Sequence, residues 1–363
     1  MMKRESEGKK EVKNITMQYR GYQRQKWLLL AAVLTAVAVT AYISLRSGIA
    51  EMNLAALLKA LQGEGEETLQ IVVWNLRLPR ITAAVLAGAA LGTAGCIMQN
   101  NLRNPLASPS TLGITSASAF GANFAIIVLG SGSMQSAQSD AVFIASPYLV
   151  ALSAFIASVA ALFFVMVLSK LRSFDPNVII LAGVAVSALF SAATAFVQYF
   201  ADSQHVAAAV FWTFGNLGRA SWPELSLLGI LFLAAFSYFL FRSWDYNAMI
   251  SGDDNAASLG VDTQKIRIGG MLFSSLLVST AVSFLGIIGF VGLIAPQITR
   301  RLIGNDHRFL IPAAALMGAL ILLVSDTAAR ALFSPVVLPI GVITSFLGAP
   351  VFLYILLKDY RQE

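Results

Sequence analysis

Arg77, Arg80 and Arg330 are the residues of this chain best suited to recognition chemistry. Each sits at the end of a long apolar run, where a guanidinium fork can capture a carboxylate through two parallel hydrogen bonds. Arg219 is a fourth cation of this kind. The competing reading is a side chain that snorkels to lipid headgroups; the clustering favours the docking of something acidic. A second candidate is the polar stretch Ser251-Gly-Asp-Asp-Asn-Ala-Ala-Ser-Leu-Gly-Val-Asp262. Ser251 can cap a short helix there, and Asp253 and Asp254 suit the positive end of its dipole. Gly260 can stop it in the left-handed conformation. Ala256, Ala257 and Leu259 would give it a small, smooth face that fits a groove on another protein. An ordinary loop helix with good caps is the alternative.

Other chemistry has few residues to work with. There is no GxxxxGK[ST] loop to cradle the phosphates of ATP, no HExxH and no GxSxG. His205 and His307 are far apart, and the one cysteine, Cys96, lies inside an apolar run. The interiors of the apolar runs carry no Asp, Glu, Lys, Arg or His; Asp326 and Arg330 lie at an end of one. Proton- and ion-coupled pumps usually need such a group. Its absence argues against a secondary transporter or channel, the alternative of another class, although sodium sites can be built from carbonyls and hydroxyls. An intramembrane enzyme has no catalytic constellation. If the chain moves a solute, its energy comes from another subunit.

These residues must be positioned by membrane helices. The chain is 57% hydrophobic and 12% charged, against about 25% charge in a soluble domain. It reads as an all-α polytopic membrane protein with no room for a sizeable soluble domain. The net charge of +6 is concentrated in the first 26 residues and in short loops, so topology explains it without a nucleic-acid partner. Residues 1–26 read as a basic cytoplasmic tail, 27–358 as a transmembrane domain and 359–363 as a cytoplasmic C-terminus. The run from Trp27 reads as a retained first span rather than a cleaved signal peptide.

A span needs about 20 apolar residues. Candidates are 27–45, 81–99, 112–130, 147–168, 178–201, 222–241, 309–329 and 336–357. The stretch 268–298 is long for one span and short for two, and Gly286, Gly289 and Gly292 favour a break in its middle. With the break, ten spans place 19 Lys/Arg inside and 6 outside; without it the split is 15 against 10. The positive-inside rule prefers ten spans with both termini cytoplasmic. The segment 46–79, with a short helix from Asn53 through Leu61, and the loops 131–146 and 202–221 are then outside. Ala84, Gly88, Gly92 and Cys96 recur four apart on one helix face. That is the small-xxx-small pattern of close packing, here read as intramolecular rather than as a dimer seam.

The motifs together resemble the FecCD family of ABC importer permeases for iron-siderophores, haem and cobalamin. The resemblance rests on Arg77-Leu-Pro-Arg80, Gly88-Ala-Ala-Leu, Gln99, Arg103-Asn-Pro-Leu-Ala107, Leu112-Gly-Ile and Trp212 with Gly215. It continues through Gly252 to Gly260, Gly289-Phe-Val-Gly-Leu-Ile-Ala-Pro296, Asp326-Thr-Ala-Ala-Arg330, Leu338-Pro-Ile-Gly-Val and Leu347-Gly-Ala-Pro350. It covers about residues 30–358 in order.

The resemblance implies a ten-helix subunit pairing as a homodimer, or as a heterodimer with a related permease, around an axial pathway. Two cytoplasmic ATP-binding subunits, which hold ATP and Mg, and an external substrate-binding protein complete the importer; this chain itself would bind no cofactor and no metal. Carried over by position, Arg77, Arg80 and Arg330 would meet glutamates on the binding protein. Gly252, Asp253, Asp254, Ala256, Ala257, Leu259 and Gly260 would form the coupling helix seated on the ATPase. Arg103, Asn104, Pro105, Ser173, Gln198 and Trp212 would line or gate the pathway, and Gly88, Gly92, Gly289 and Gly292 would serve helix packing. The chain departs from the family at Gln297, where Pro-His is common. Gln cannot titrate near neutral pH, but a structural hydrogen bond to the adjacent loop survives the change.

Overall fold

The apolar runs fold as helices because a backbone in hydrocarbon must satisfy its own hydrogen bonds. The computed structural model describes residues 2–47, 59–60, 62–64, 66–134, 142–144, 146–331 and 337–360. Side chains are described from residue 21 onward, except at 133–134, 142–144, 355–356 and 358–360. The helix expected from Asn53 falls at 53–58 and 61 outside the described residues, as does the end of the chain at 361–363.

Thirteen α-helices follow one another along the described chain. They are α1 (Met2–Arg46), α2 (Glu67–Asn101), α3 (Ile114–Ile127), α4 (Pro147–Lys170), α5 (Pro176–Tyr199), α6 (Ser203–Thr213) and α7 (Trp222–Phe241). Then come α8 (Ser243–Ile250), α9 (Asp253–Ser258), α10 (Thr263–Leu285), α11 (Val291–Ile303), α12 (His307–Ala331) and α13 (Ile340–Tyr360). Seven are long and apolar enough to cross a membrane: α1, α2, α4, α5, α7, α10 and α12. The three other expected spans are α3, α11 and α13.

Helix starts follow local chemistry. Asp175 accepts hydrogen bonds from the amides of Asn177 and Val178 and sets α5, with Pro176 in its first turn. Ser221 and Glu224 form a reciprocal capping box on α7. Asp262 accepts from the Lys265 amide at the start of α10. Two segments read as plain loops are more ordered than expected. A two-stranded antiparallel hairpin pairs β1 (Gly132–Met134) with β2 (Val142–Ile144). The segment 203–213 coils into α6, because its apolar Ala208, Ala209 and Trp212 find a buried face to fill.

Burial separates an inner from an outer ring. The most apolar windows of α2, α10 and α12 are 83%, 67% and 72% buried, whereas that of α1 is only 17% buried and so faces lipid or a partner. Small residues let α2 occupy the centre. A Cβ on Gly88 would sit 2.4 Å from the Gly318 carbonyl oxygen, and one on Gly92 would sit 2.2 Å from that of Ala314. The expected ridge is therefore an intramolecular seam against α12. A second seam was not anticipated: a Cβ on Gly95 would fall 1.7 Å from the Gly292 carbonyl oxygen on α11.

The break in 268–298 lies at 286–290, between α10 and α11. Gly286 (φ 79°) and Phe290 (φ 63°) adopt left-handed backbone there. The end of α6 and the start of α13 close around it. The Asn216 amide donates to Leu285 O (2.7 Å), and the Gly341 amide to Phe214 O (3.0 Å). Gly215 and Gly341 leave room for the Ile287 carbonyl, which a Cβ at either position would approach to 2.6 Å. Gly292 packs helices rather than bending the chain.

Candidate functional site: two arginine clusters at opposite ends of the central helix

Between Leu78 and Asn101, α2 runs for 24 residues, about 36 Å at 1.5 Å per residue. A cluster of cations sits at each end.

At its N-terminal end, Val72–Arg77 form a π-helical turn just before Pro79. The turn directs Arg77 onto the C-terminal end of α1, where its Nη1 donates to the carbonyls of Leu45 (2.6 Å) and Arg46 (3.5 Å). Arg80 Nε donates to Asp326 Oδ1 (2.9 Å), and Arg330 Nε donates to Asp326 Oδ2 (3.0 Å). The Asp326 side chain is fully buried, and the two guanidiniums supply the hydrogen-bonded partners that a buried carboxylate needs. Arg330 also reaches α1, through the Ser44 hydroxyl (2.5 Å) and the Ser47 carbonyl (3.0 Å). Cations on the last carbonyls of α1 complement its dipole.

The three arginines thus converge as the sequence suggested, but much of their bonding capacity is spent within the chain. Arg80 commits only its Nε to Asp326 among the described residues and is 18% exposed. Arg219 also turns inward: it donates to Trp212 O (2.9 Å) and Phe211 O (3.2 Å), closing the end of α6.

At the C-terminal end of α2, α9 packs beside the turns that follow α2 and α4. The helix is shorter than expected. Ser251 closes α8, donating its hydroxyl to Ala248 O (2.8 Å), and Gly252 takes the N-cap position instead, at a φ of 111° that favours glycine. Gly260 (φ 84°) ends the turn in the left-handed form, as expected. Of the smooth face, Ala257 and Leu259 are exposed, but Ala256 is buried. The correction follows from helical geometry: a helix this short anchors one side and offers only the other.

Asp253 anchors it. Both Asp253 oxygens accept from Arg267 Nη2, each at 3.0 Å, and Arg103 Nη2 approaches Oδ1 at 2.5 Å. Arg267 also donates from Nε to Asn101 O (3.0 Å) and from Nη1 to Phe174 O (3.3 Å). Arg103 (φ 46°), Ser173 (φ 51°) and Phe174 (φ 58°) all adopt left-handed backbone, a costly state for residues with side chains. Both turns expected to gate the pathway are therefore strained and both are tied to Asp253. Gln297 Nε2 donates to Pro105 O (2.8 Å) and to Gln99 Oε1 (3.1 Å), while Gln99 Nε2 donates to Leu293 O (3.1 Å). The hydrogen bond from position 297 to the adjacent loop is present.

At the same end, Asp306 accepts from Arg308 and Asn247, and the Lys26 ammonium forms a longer ion pair with it at 3.9 Å. Burial would raise its carboxyl, but the Arg308 and Asn247 hydrogen bonds outweigh it and hold the pKa at about 2.

Two expected pathway residues separate. Gln198 Nε2 donates to Asn123 Oδ1 (2.8 Å), joining α5 to α3. Trp212 is 2% exposed and packs in the core, so its ring lines no open surface of the protomer; the bulky indole is worth more buried. Sequence reading missed Arg267 as a site residue, since it counted only as a loop charge five residues after the Asp262 cap. It likewise gave no special place to Asn101 or Gly95, whose partners are more than 160 residues away in the chain.

An inner ring of glycine-packed helices, a lipid-facing outer ring and polar clusters confined to the ends define a multi-pass membrane permease. Comparison with known proteins is specific: residues 23–358 match the FecCD transport family, and the chain belongs to it. It is 46% identical over 349 residues to the "Putative ABC transporter permease protein MJ0087" of Methanocaldococcus jannaschii, covering 96% of this chain and 99% of that one. It is 37% identical to the hemin transport system permease protein HmuU of Yersinia pestis, over 80% of this chain and 85% of that one. A solved structure described as "An inward-facing conformation of a putative metal-chelate type ABC transporter" superposes with a TM-score of 0.79 at 32% identity, covering 91% of this chain and 98% of the other. The chain is the permease subunit of a type II ABC importer.

Proposed function

We propose that this permease carries an iron(III)-siderophore complex across the cytoplasmic membrane, as one half of a homodimer with both termini cytoplasmic. Two ATPase subunits that bind ATP and Mg dock on the α9 end, and a substrate-binding protein docks on the Arg80 end. Chelated iron is favoured because the Fe(3+)-citrate and iron(3+)-hydroxamate import system permeases of Bacillus subtilis match over 94% and 91% of this chain; haem and cobalamin are the competing cargoes. Hydrolysis of ATP belongs to the ATPase subunits, and this chain supplies the path.

The observation that carries the reading is α9: a short helix fixed from below by Asp253 and presenting Ala257 and Leu259 outward. Closure of the ATPase pair would displace it and tilt the bundle, opening the pathway alternately to each side. On the other face, Arg80 is the docking cation of first choice. Arg77 and Arg330 act beside it chiefly by fixing the end of α1.

The test is reconstitution of the permease with its ATPase and binding protein in liposomes containing ATP. Uptake of a radiolabelled ferric siderophore, not matched by haem or cobalamin at equal concentration, is the expected result. Preferential cobalamin or haem uptake would overturn the cargo, and uptake without ATP or ATPase would overturn the energy source.

A further inference from the structure

We infer that the Asp253 carboxylate and the Arg267 guanidinium form the linkage through which α9 drives both neighbouring turns, 103–105 and 173–176. The inference rests on the reading of α9 as the element moved by the ATPase.

One guanidinium touches three separate segments. Arg267 Nη2 holds both oxygens of Asp253 on α9, Nη1 holds the carbonyl of Phe174 in the turn after α4, and Nε holds the carbonyl of Asn101 at the end of α2. The Asn101 side chain closes the loop by donating to Arg267 O (3.2 Å). Three segments distant in sequence thus share one rigid, planar group. A flat fork cannot follow one partner without pulling on the others. Its side chain is only 4% exposed, so these bonds act with little competition from water.

Asp253 carries the second branch. It bonds Arg103, the left-handed residue that opens the 103–105 turn, and Pro105 passes the contact on to Gln297 on α11. The two turns contain three of the four non-glycine residues with left-handed backbone among the described residues. Strain of this kind persists only where neighbours enforce it. Here Asp253 holds Arg103 directly and reaches the 173–176 turn through Arg267. Moving Asp253 therefore loosens both turns together, which makes them elements with two arrangements rather than passive connections.

The test uses the full permease–ATPase complex in lipid nanodiscs, in a Cys96→Ala background. Ser258→Cys reports contact with the ATPase by cross-linking, and spin labels at Arg172→Cys report the 173–176 turn by the distance between the two protomers. Wild type is expected to cross-link through position 258 and to change its 172–172 distance when ATP and vanadate are added. Asp253→Asn and Arg267→Lys should keep the cross-link but lose that distance change. Asp253 is about one-third exposed, so its amide variant keeps the complex assembled even if the buried Arg267 cannot be replaced. Asp245→Asn, which removes a neighbouring ion pair to Arg242, should leave the distance change intact. A turn that moves as before in Asp253→Asn, or that does not respond to nucleotide in wild type, overturns the linkage while leaving α9 as the docking element. Absence of the position-258 cross-link in wild type overturns the coupling reading and this inference with it.

Discussion

Asp326 shows how much depends on a single buried carboxylate. It is the shared counter-ion of Arg80 and Arg330, and through Arg330 it fixes the end of α1. Removing one partner of a buried ion pair typically costs about 3–5 kcal/mol, because the other charges are left uncompensated. Asp326→Ala should therefore lower the melting temperature of the detergent-solubilised protein sharply, while Asp202→Ala, at an exposed pair with His205, should shift it little. Equal melting curves would show that Asp326 stabilises nothing. The arginines should separate by effect. Arg80→Glu should weaken binding-protein affinity in a salt-dependent way with the fold retained, whereas Arg330→Glu should destabilise the fold itself. Unchanged affinity for Arg80→Glu across salt concentrations would remove the docking role.

The pH behaviour of Asp306 belongs to the same scale. Its folded pKa of about 2 lies below the ordinary 3.8. The stabilisation is therefore complete above about pH 4 and is lost as pH falls through 2. Asp306→Asn should flatten the acid limb of a stability-against-pH profile in that window; an unaltered limb would contradict the assignment.

Among the elements, the contact between α2 and α11 is the tightest glycine seam. A Cβ at Gly95 has no room against the Gly292 backbone, and backbone cannot step aside as a side chain can. Gly95→Ala should prevent recovery of folded permease by size-exclusion chromatography. Gly229→Ala is the matched control on α7, where the new methyl meets only the Leu86 side chain at 3.7 Å. A Gly95→Ala protein as stable as Gly229→Ala would mean the helices separate freely. The sequence marked Gly88 and Gly92 because they repeat four apart, but Gly95 fell outside that stripe. A small residue is legible as a packing residue only when it repeats on one face; a second face in use breaks the period. The same limit hid α6, whose eleven residues are too few to announce a span.

For the whole molecule, polar clusters at the two ends and an uncharged middle fit a subunit that transmits motion between partners on opposite faces. Ala257→Trp, at an exposed position of α9, should abolish co-purification of the ATPase while leaving the permease folded. Retained stoichiometric ATPase would remove α9 from the interface. Much of this architecture was legible in advance. Apolar run lengths set the helices, loop charge required a break within 268–298, and ordered motifs over about 330 residues pointed to the FecCD family, all because hydrocarbon penalises unpaired backbone and charge wherever they occur. Apolar run lengths alone fix the number of apolar helices and where charge cannot lie. What the remaining charges do depends on how the helices pack. Arg267 and Asp253 lie 14 residues apart, Arg80 and Asp326 lie 246 apart, and no local period records such pairs. Their roles arise from burial that no residue possesses until its neighbours have packed around it.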